Sequence, residues 1–173
     1  RFAGWIHHVY ERADDLVGRV LPAVDDNTLL LICSDHGFAQ YARQFHLNTW
    51  LRDNGYLTVK PHALKKEETS VIDIDWSQTV AYAMGFNGLC LNLKDREPQG
   101  IVTPNKAPEI LSRLRRELEG VVDPETGTPP VAKVYPRDEL YSGEMTPSMP
   151  EFLVGYTPGY RTSDQSFMGS TGS

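Results

Sequence analysis

The residues with the greatest capacity for chemistry are Asp35 and His36, which are adjacent in the string Ser34-Asp35-His36-Gly37. A carboxylate oxygen and an imidazole nitrogen suit zinc or manganese, so this pair is a candidate part of a metal site. Neighbours in an extended strand point to opposite faces, so both can reach one ion only where the chain turns. Gly37 makes such a turn inexpensive. From residue types alone, an ordinary polar turn capped by Asp35 is the commoner interpretation.

Other polar residues near this loop could contribute to a site. His46 could face a substrate or a phosphate oxygen, or it could cap a helix that begins at Leu47, and the sequence leaves both interpretations open. Arg43 could pair with a phosphate, although a surface arginine is the commoner interpretation. His7 and His8 are adjacent on a predicted helix, where neighbours point about 100° apart. We therefore interpret these two as solvated or partly packed histidines.

The elements before the loop predict how it is positioned. Apolar residues recur at helical spacing over residues 2–21, which predicts an amphipathic helix. Residues 29–33 are continuously apolar and bounded by polar turns, as in a strand that is buried on both faces of a parallel sheet. Asp35 and His36 would then lie just past the carboxyl end of a strand, where open α/β sheets bind their ligands. A helix followed by a buried strand indicates an α/β fold.

The rest of the chain predicts two more helices and several short strands. The helices are expected over residues 47–54 and 106–119, and Gly55 would end the first of them in a left-handed conformation. Strands are predicted where short β-type runs are bounded by turn residues, at 56–59, 79–84, 89–93, 131–135 and 152–155. The tail over 163–173 is polar and rich in glycine and serine, which favours a loop or disorder.

Composition restricts the class of protein. The chain has 173 residues, enough for one domain with its own core. Its net charge of −6 argues against a nucleic-acid-binding domain, which needs a basic face. No apolar run approaches the ~20 residues that a membrane-spanning helix requires. Cys33 and Cys90 lie in apolar stretches without metal-type spacing, so we expect both to be small core residues.

Longer segments of the chain carry a family resemblance. They are LLLICSDHGF at 29–38, HLNTWL at 46–51, GYL at 55–57, DLVG at 15–18, REP at 96–98, GIV at 100–102 and GYR at 159–161. Together they resemble the type I phosphodiesterase/nucleotide pyrophosphatase branch of the alkaline phosphatase superfamily. The resemblance covers most of the chain, and the Ser-Asp-His-Gly string is its most specific element.

The resemblance implies a function and a site. In that family two metal ions, usually zinc, lie side by side, and a threonine or serine nucleophile attacks phosphorus. Asp35 and His36 match the residues that hold the ion activating the nucleophile, with manganese as an alternative metal. The implied activity is hydrolysis of a phosphate ester, phosphodiester or pyrophosphate bond in a small nucleotide-like substrate, for which His46 is the candidate binding residue.

The resemblance also implies an architecture that this chain only partly matches. The fold would be α/β, part of a doubly wound, mostly parallel sheet flanked by helices and truncated at both ends. Residues 96–160 would form a flanking or inserted subregion. The family's nucleophile and remaining ligands have no match here, so we expect the isolated chain to be inactive. Alternatives are a sulfatase, phosphotransferase or mutase of the same superfamily, or a non-catalytic domain derived from such an enzyme.

Overall fold

The computed structural model describes residues 4–172 and divides the chain into two compact units. The first unit runs to Phe38 and the second begins at Ala39. The first contains one long helix and the loop with Asp35 and His36. The second contains every described strand. The two units are therefore described separately.

The first unit contains the helix predicted over residues 2–21. Helix α1 spans Trp5–Val20 and is followed by a 3-10 turn at Leu21–Ala23, which confirms the prediction for the described residues. The apolar face of α1 stays exposed, and Tyr10, for example, is 74% exposed. Within the described part of this unit no second helix or sheet covers that face.

The apolar run at residues 29–33 is not a strand in this structure, so the prediction of a central parallel strand there is wrong. The segment makes no sheet pairing among the described residues, and Leu29 is 83% exposed. A strand needs a partner edge for its backbone groups, and the described part of this unit offers only α1 and a short turn. Cys33 is exposed for the same reason, whereas Cys90 in the second unit is half-buried.

The second unit is built from short strands and helices. In chain order they are β1 (Arg43–Phe45), α2 (Leu47–Asp53), β2 (Ala81–Met84), β3 (Gly88–Leu91), α3 (Ala107–Glu119), β4 (Val131–Pro136), α4 (Arg137–Leu140), β5 (Phe152–Tyr156), β6 (Tyr160–Thr162) and α5 (Asp164–Phe167). Both predicted helices and four of the predicted strands are thereby confirmed. The strand predicted over 56–59 is wrong, since only a single bridge joins Val59 to Ile74.

The strands form two sheets of different type. Four of them make an antiparallel sheet in the order β2-β3-β5-β4, and β1 pairs in parallel with β6. The chain is therefore a mixed α/β protein. Among the described strands β1 and β6 form the one parallel pair, so a mostly parallel, doubly wound sheet stays a prediction. The segment 96–160 supplies α3, β4 and β5, and its two strands join β2 and β3 in one sheet.

Alternating apolar residues place the core of the second unit on one face of the four-stranded sheet. Ala81, Leu89 and Leu91 are at most 1% exposed. Helix α3 packs against β4 through an apolar stripe, and its Leu114 and Leu118 are fully buried. The stripe follows the helical repeat from which α3 was predicted, so local pattern and tertiary packing agree here.

A buried side chain completes the free edge of β2. Asn48 on α2 is fully buried, and its Nδ2 donates to the Ala83 carbonyl at 2.9 Å. The Ala83 N–H donates to Asn48 Oδ1 at 2.7 Å. An edge strand has unpaired backbone groups, and this amide pairs with one residue as a neighbouring strand would. Asn48 therefore joins α2 to the sheet.

Replacing Asn48 with alanine should lower the free energy of unfolding by about 2 kcal/mol, because two buried backbone groups of Ala83 lose their partners. The measurement is urea unfolding followed by circular dichroism. Asn54→Ala is the matched control, because it removes a single exposed hydrogen bond to the Trp50 carbonyl. The control should change stability by less than about 0.5 kcal/mol. Equal losses in the two variants would contradict the edge-pairing role.

The tail packs within the second unit as the short helix α5 followed by a loop, so of the two alternatives predicted for it the loop holds for residues 168–172 and disorder is wrong. Ser163 and Thr171 are fully buried. The Ser166 hydroxyl accepts a hydrogen bond from the Asn48 N–H at 3.1 Å, and the hydroxyls of Thr69 and Thr171 are hydrogen-bonded at 2.7 Å. Small polar side chains of the tail are thus hydrogen-bonded to α2 and to Thr69. Residue 173 lies outside the described residues.

Candidate metal loop and its surroundings

The loop brings the Asp35 carboxylate and the His36 imidazole to the same side of the chain. The backbone bends at Asp35, and His36 Nε2 lies 3.4 Å from Asp35 Oδ2. The His36 N–H also donates to Asp35 Oδ1 at 3.0 Å. Both side chains are exposed, Asp35 by 87% and His36 by 65%. The condition that the chain must turn for both groups to reach one ion is therefore met.

Hydrogen bonding sets the tautomer of His36. Its Nδ1 lies 2.9 Å from the Gly37 carbonyl oxygen, which can only accept, so Nδ1 carries the proton. In a neutral ring with this tautomer Nε2 is the nitrogen with the lone pair, and it lies 3.4 Å from the Asp35 carboxylate. A metal-binding histidine is usually oriented in this way, with its other nitrogen donating to a carbonyl or carboxylate. The Ser34 hydroxyl donates to the His36 carbonyl at 2.7 Å and closes the turn.

Two ligands are fewer than a metal centre needs. Catalytic zinc sites use three protein ligands, and structural sites use four. Within residues 4–172 no group of three or more histidine, cysteine, aspartate or glutamate side chains is placed to hold an ion. The donor types and the tautomer suit a divalent metal, and the loop can supply part of its coordination sphere.

His46 occupies the residue before α2 but does not cap the helix through its side chain. The Asn48 N–H at the helix start is bound instead by the Ser166 hydroxyl. His46 Nδ1 is buried and has no hydrogen-bond partner among the described residues. Burial lowers the pKa of His46, and the nearby Glu68 charge acts in the opposite direction. The side chain is thus held towards its neutral form, with one polar atom unsatisfied.

Arg43 is engaged in ion pairs, which does not support its interpretation as a phosphate ligand. Its Nε lies 2.6 Å from Asp123 Oδ2, and its Nη1 lies 2.9 Å from Glu125 Oε2. Asp123 is buried and also accepts from the Tyr160 hydroxyl at 2.8 Å. A backbone hydrogen bond from Glu125, together with Tyr160 and Arg43, lowers the pKa of Asp123. This cluster ties β1 and β6 to the loop after α3.

The two histidines on α1 agree with their interpretation as solvated residues. His7 and His8 are both exposed. His8 Nδ1 lies 3.8 Å from Glu11 Oε2, one helical turn away, which is a loose surface pair.

Sequence patterns did not indicate the buried charge of Glu151. This side chain is 6% exposed and binds both Arg96 and Arg137. Its oxygens also accept the Leu91 N–H at 2.7 Å. A single glutamate after a proline has no periodicity that would reveal such a role, and its partners are distant in sequence.

The comparisons with known proteins identify the family. The family model described as type I phosphodiesterase / nucleotide pyrophosphatase matches residues 5–170. The chain belongs to this family, whose members are hydrolases that act on phosphodiester bonds. Searches of curated proteins and of solved structures found no significant match. No helix within residues 4–172 is long and apolar enough to cross a membrane.

Proposed function

We propose that the protein is a metal-dependent hydrolase of a phosphate ester, phosphodiester or pyrophosphate bond, with Asp35 and His36 as ligands of one of two divalent ions. Zinc is the expected metal, and manganese would suit the same donors. The observation that carries the proposal is the orientation of His36, whose Nδ1 lies against the Gly37 carbonyl while Nε2 faces the Asp35 carboxylate. Membership of a hydrolase family supports the reaction type.

The loop residues have distinct roles in this proposal. The Asp35 carboxylate contributes a negatively charged oxygen, and the Gly37 carbonyl keeps the His36 proton on Nδ1. Two bound ions would stabilise the attacking and leaving oxygens of an in-line displacement at phosphorus. Exposure of both side chains leaves them accessible to such ions. The nucleophile and the remaining ligands would come from parts of the protein outside this chain.

His46 is the proposed substrate-binding residue. Its unpaired, buried Nδ1 would gain a hydrogen bond from a suitable partner, and its lowered pKa favours the neutral ring. A neutral imidazole can donate one hydrogen bond to a phosphate oxygen through the nitrogen that carries its proton. The substrate would be a small phosphate ester or a nucleotide-like molecule, in keeping with the family.

The proposal also includes the architecture of the domain to which this chain would belong. We place the chain in the C-terminal portion of one alkaline phosphatase-like domain with a doubly wound, mostly parallel sheet. Residues 96–160 would be a flanking or inserted subregion of that domain. Support comes from the family match over residues 5–170 and from a metal loop with only two ligands.

The test compares the isolated chain with the full-length protein. Full-length protein should hydrolyse bis(p-nitrophenyl) phosphate when zinc or manganese is present and should lose that activity in a chelator. The isolated chain should show no hydrolysis above buffer with either metal, because it lacks the further ligands and the nucleophile.

Two results would contradict this expectation. Metal-independent hydrolysis by the full-length protein would remove the proposed mechanism. Hydrolysis by the isolated chain that disappears in Asp35→Ala would show that the described residues suffice for catalysis. p-Nitrophenyl sulfate in the same assay separates a sulfatase from a phosphoric-ester hydrolase.

A further inference from the structure

The second unit contains a cavity on the outer face of β2, away from the hydrophobic core. Its volume is about 300 Å³, at the lower end of the range for small-molecule sites. Tyr82 and Met84 line it, and along β2 they alternate with the buried Ala81 and Ala83. The other residues of the lining are Trp76, Asn92, Glu97, Pro98 and Gln99. The cavity therefore involves none of the residues assigned to the metal loop.

Two aromatic rings form one corner of the cavity. Trp76 and Tyr82 have ring centroids 5.1 Å apart and planes at 88°. A flat ring in such a corner can lie parallel to one of these rings and edge-on to the other, and both arrangements are favourable for aromatic pairs. Met84 adds a thioether, which also makes favourable contacts with aromatic rings. The walls therefore suit a flat aromatic ligand.

Buried hydrogen bonds hold these walls in place. The Asn92 side chain is buried, and its Nδ2 donates to the Trp76 carbonyl at 2.7 Å and to the Gln99 carbonyl at 3.2 Å. The Tyr82 hydroxyl donates to Glu97 Oε1 at 3.3 Å, which restrains the second ring. The cavity is thus formed before a ligand arrives, and a preformed site lowers the entropic cost of binding.

The polar side chains around the cavity already have partners. Glu97 Oε1 accepts from Arg96 Nε at 2.7 Å and Oε2 is buried, so the charge of this carboxylate is compensated within the protein. The Asn92 amide donates to backbone carbonyls. Gln99 is exposed, so water can satisfy its amide. An ionic ligand would lose hydration in this cavity without gaining a counter-charge, whereas a neutral ring would lose little.

We propose that this cavity binds a small, neutral aromatic molecule of one ring or two fused rings. The ligand would contact the rings of Trp76 and Tyr82 and the side chain of Met84. It would displace water from apolar walls that are partly exposed in the free protein, where Met84 is 48% exposed. A saturated ring of the same size would bury a similar area but would lack the aromatic contacts.

Four probes of similar shape test the ligand class. Benzyl alcohol is neutral and aromatic, cyclohexylmethanol is its saturated analogue, and benzylammonium and benzoate carry opposite charges. In an NMR titration of the isotope-labelled chain, benzyl alcohol should shift the indole N–H signal of Trp76 and leave those of Trp5 and Trp50 in place. We expect benzyl alcohol to bind about 5-fold tighter than cyclohexylmethanol and at least about 10-fold tighter than either ion.

Three substitutions locate the site, with binding followed through the backbone amide signal of Met84. Trp76→Leu should weaken benzyl alcohol binding at least about 10-fold. Tyr82→Phe keeps the ring and loses only the hydroxyl, which is bound to Glu97, so it should bind as the wild type does. Trp5→Leu makes the matched change at an exposed tryptophan of the first unit and should have no effect. Melting curves confirm that each variant is folded.

Three outcomes would overturn the proposal. They are an unshifted Trp76 signal at millimolar benzyl alcohol, binding of cyclohexylmethanol or either ion as tight as that of benzyl alcohol, and wild-type affinity in Trp76→Leu. The first two are measured on the wild-type chain and do not depend on how a variant folds. None of these readouts needs a metal or turnover, so the result stands apart from the test of the proposed hydrolase activity.

Discussion

Replacing Glu151 with alanine is expected to lower the free energy of unfolding by about 3 kcal/mol, because the change removes the one buried carboxylate that two guanidinium groups share. Glu151 Oε2 accepts from Arg96 Nη2 at 3.1 Å, and Oε1 accepts from Arg137 Nη1 at 3.0 Å. The carboxylate is 6% exposed, whereas Arg96 is 30% and Arg137 21% exposed. Both arginines are partly hydrated, so we expect the loss of unfolding free energy to lie at the lower end of the range seen when a buried ion pair is broken.

The contact of Glu151 with the sheet increases the loss of stability expected for this substitution. Glu151 precedes β5 and binds the Leu91 N–H on β3, so its loss also leaves a backbone donor unpaired. Glu151→Gln keeps the shape but removes the charge, and it should fall between wild type and Glu151→Ala. Urea unfolding followed by circular dichroism measures all three proteins.

An exposed ion pair provides the matched control. Glu139 is 54% exposed and lies 3.7 Å from Arg115. Glu139→Ala should change the free energy of unfolding by less than about 0.5 kcal/mol, since surface pairs contribute little. A Glu151→Ala variant as stable as the control would mean that the cluster makes no net contribution to folding.

The elements that were predicted best from the sequence are those whose conformation depends on neighbouring residues in the chain. Helix α3 has an apolar stripe at helical spacing, and the hairpin of β2 and β3 has a turn in which Gly85 adopts a φ of 73°. Gly55 at the end of α2 also has a positive φ, as its position predicted. These features follow from the conformational preferences of a few adjacent residues.

Elements that depend on distant partners were not predictable in the same way. Strands β1 and β6 have three residues each and form by pairing with one another. Residues 29–33 have the composition of a buried strand, but composition provides no neighbouring edge, and the segment is exposed here. A loop or disorder was predicted for the tail over 163–172 because its residues are small and polar, yet the Ser163 and Ser166 hydroxyls accept hydrogen bonds from buried backbone N–H groups.

The candidate metal site likewise combines features that the sequence predicted with features that only the structure shows. The identities of Asp35 and His36 were visible in the sequence, and the bend at Asp35 is closed by local hydrogen bonds from the Ser34 hydroxyl and the His36 N–H. The tautomer of His36 required coordinates, because it depends on the position of the Gly37 carbonyl.

In the full-length protein, Asp35→Ala is expected to reduce turnover of a phosphodiester substrate to the buffer background while the domain stays folded. Asp35 is 87% exposed, so its removal should change the free energy of unfolding by less than about 0.5 kcal/mol. Its proposed role is to bind a metal, and loss of an anionic ligand lowers affinity for a divalent ion steeply. Asp26→Ala, at another exposed aspartate of the first unit, should have neither effect.

Two histidine variants refine this experiment. His36→Ala should act in the same direction but less completely, because a water molecule can occupy the position of the lost nitrogen. His46→Ala should leave the metal content unchanged. Because His46 makes no side-chain capping bond, its loss should cost less than the ~1 kcal/mol typical of a lost helix cap. If His46 binds substrate, the variant should raise KM.

Three measurements on each variant separate these roles. They are the metal content per chain, a melting curve and the turnover rate. A ligand variant loses metal and rate without a change in melting temperature, whereas a structural variant loses stability first. In the loop of residues 34–37 the Asp35 carboxylate and His36 Nε2 lie 3.4 Å apart, close enough for both to bind one ion. If Asp35→Ala kept both its metal and its rate, the loop would be an ordinary polar turn, and the proposed metal-dependent function would lose its basis.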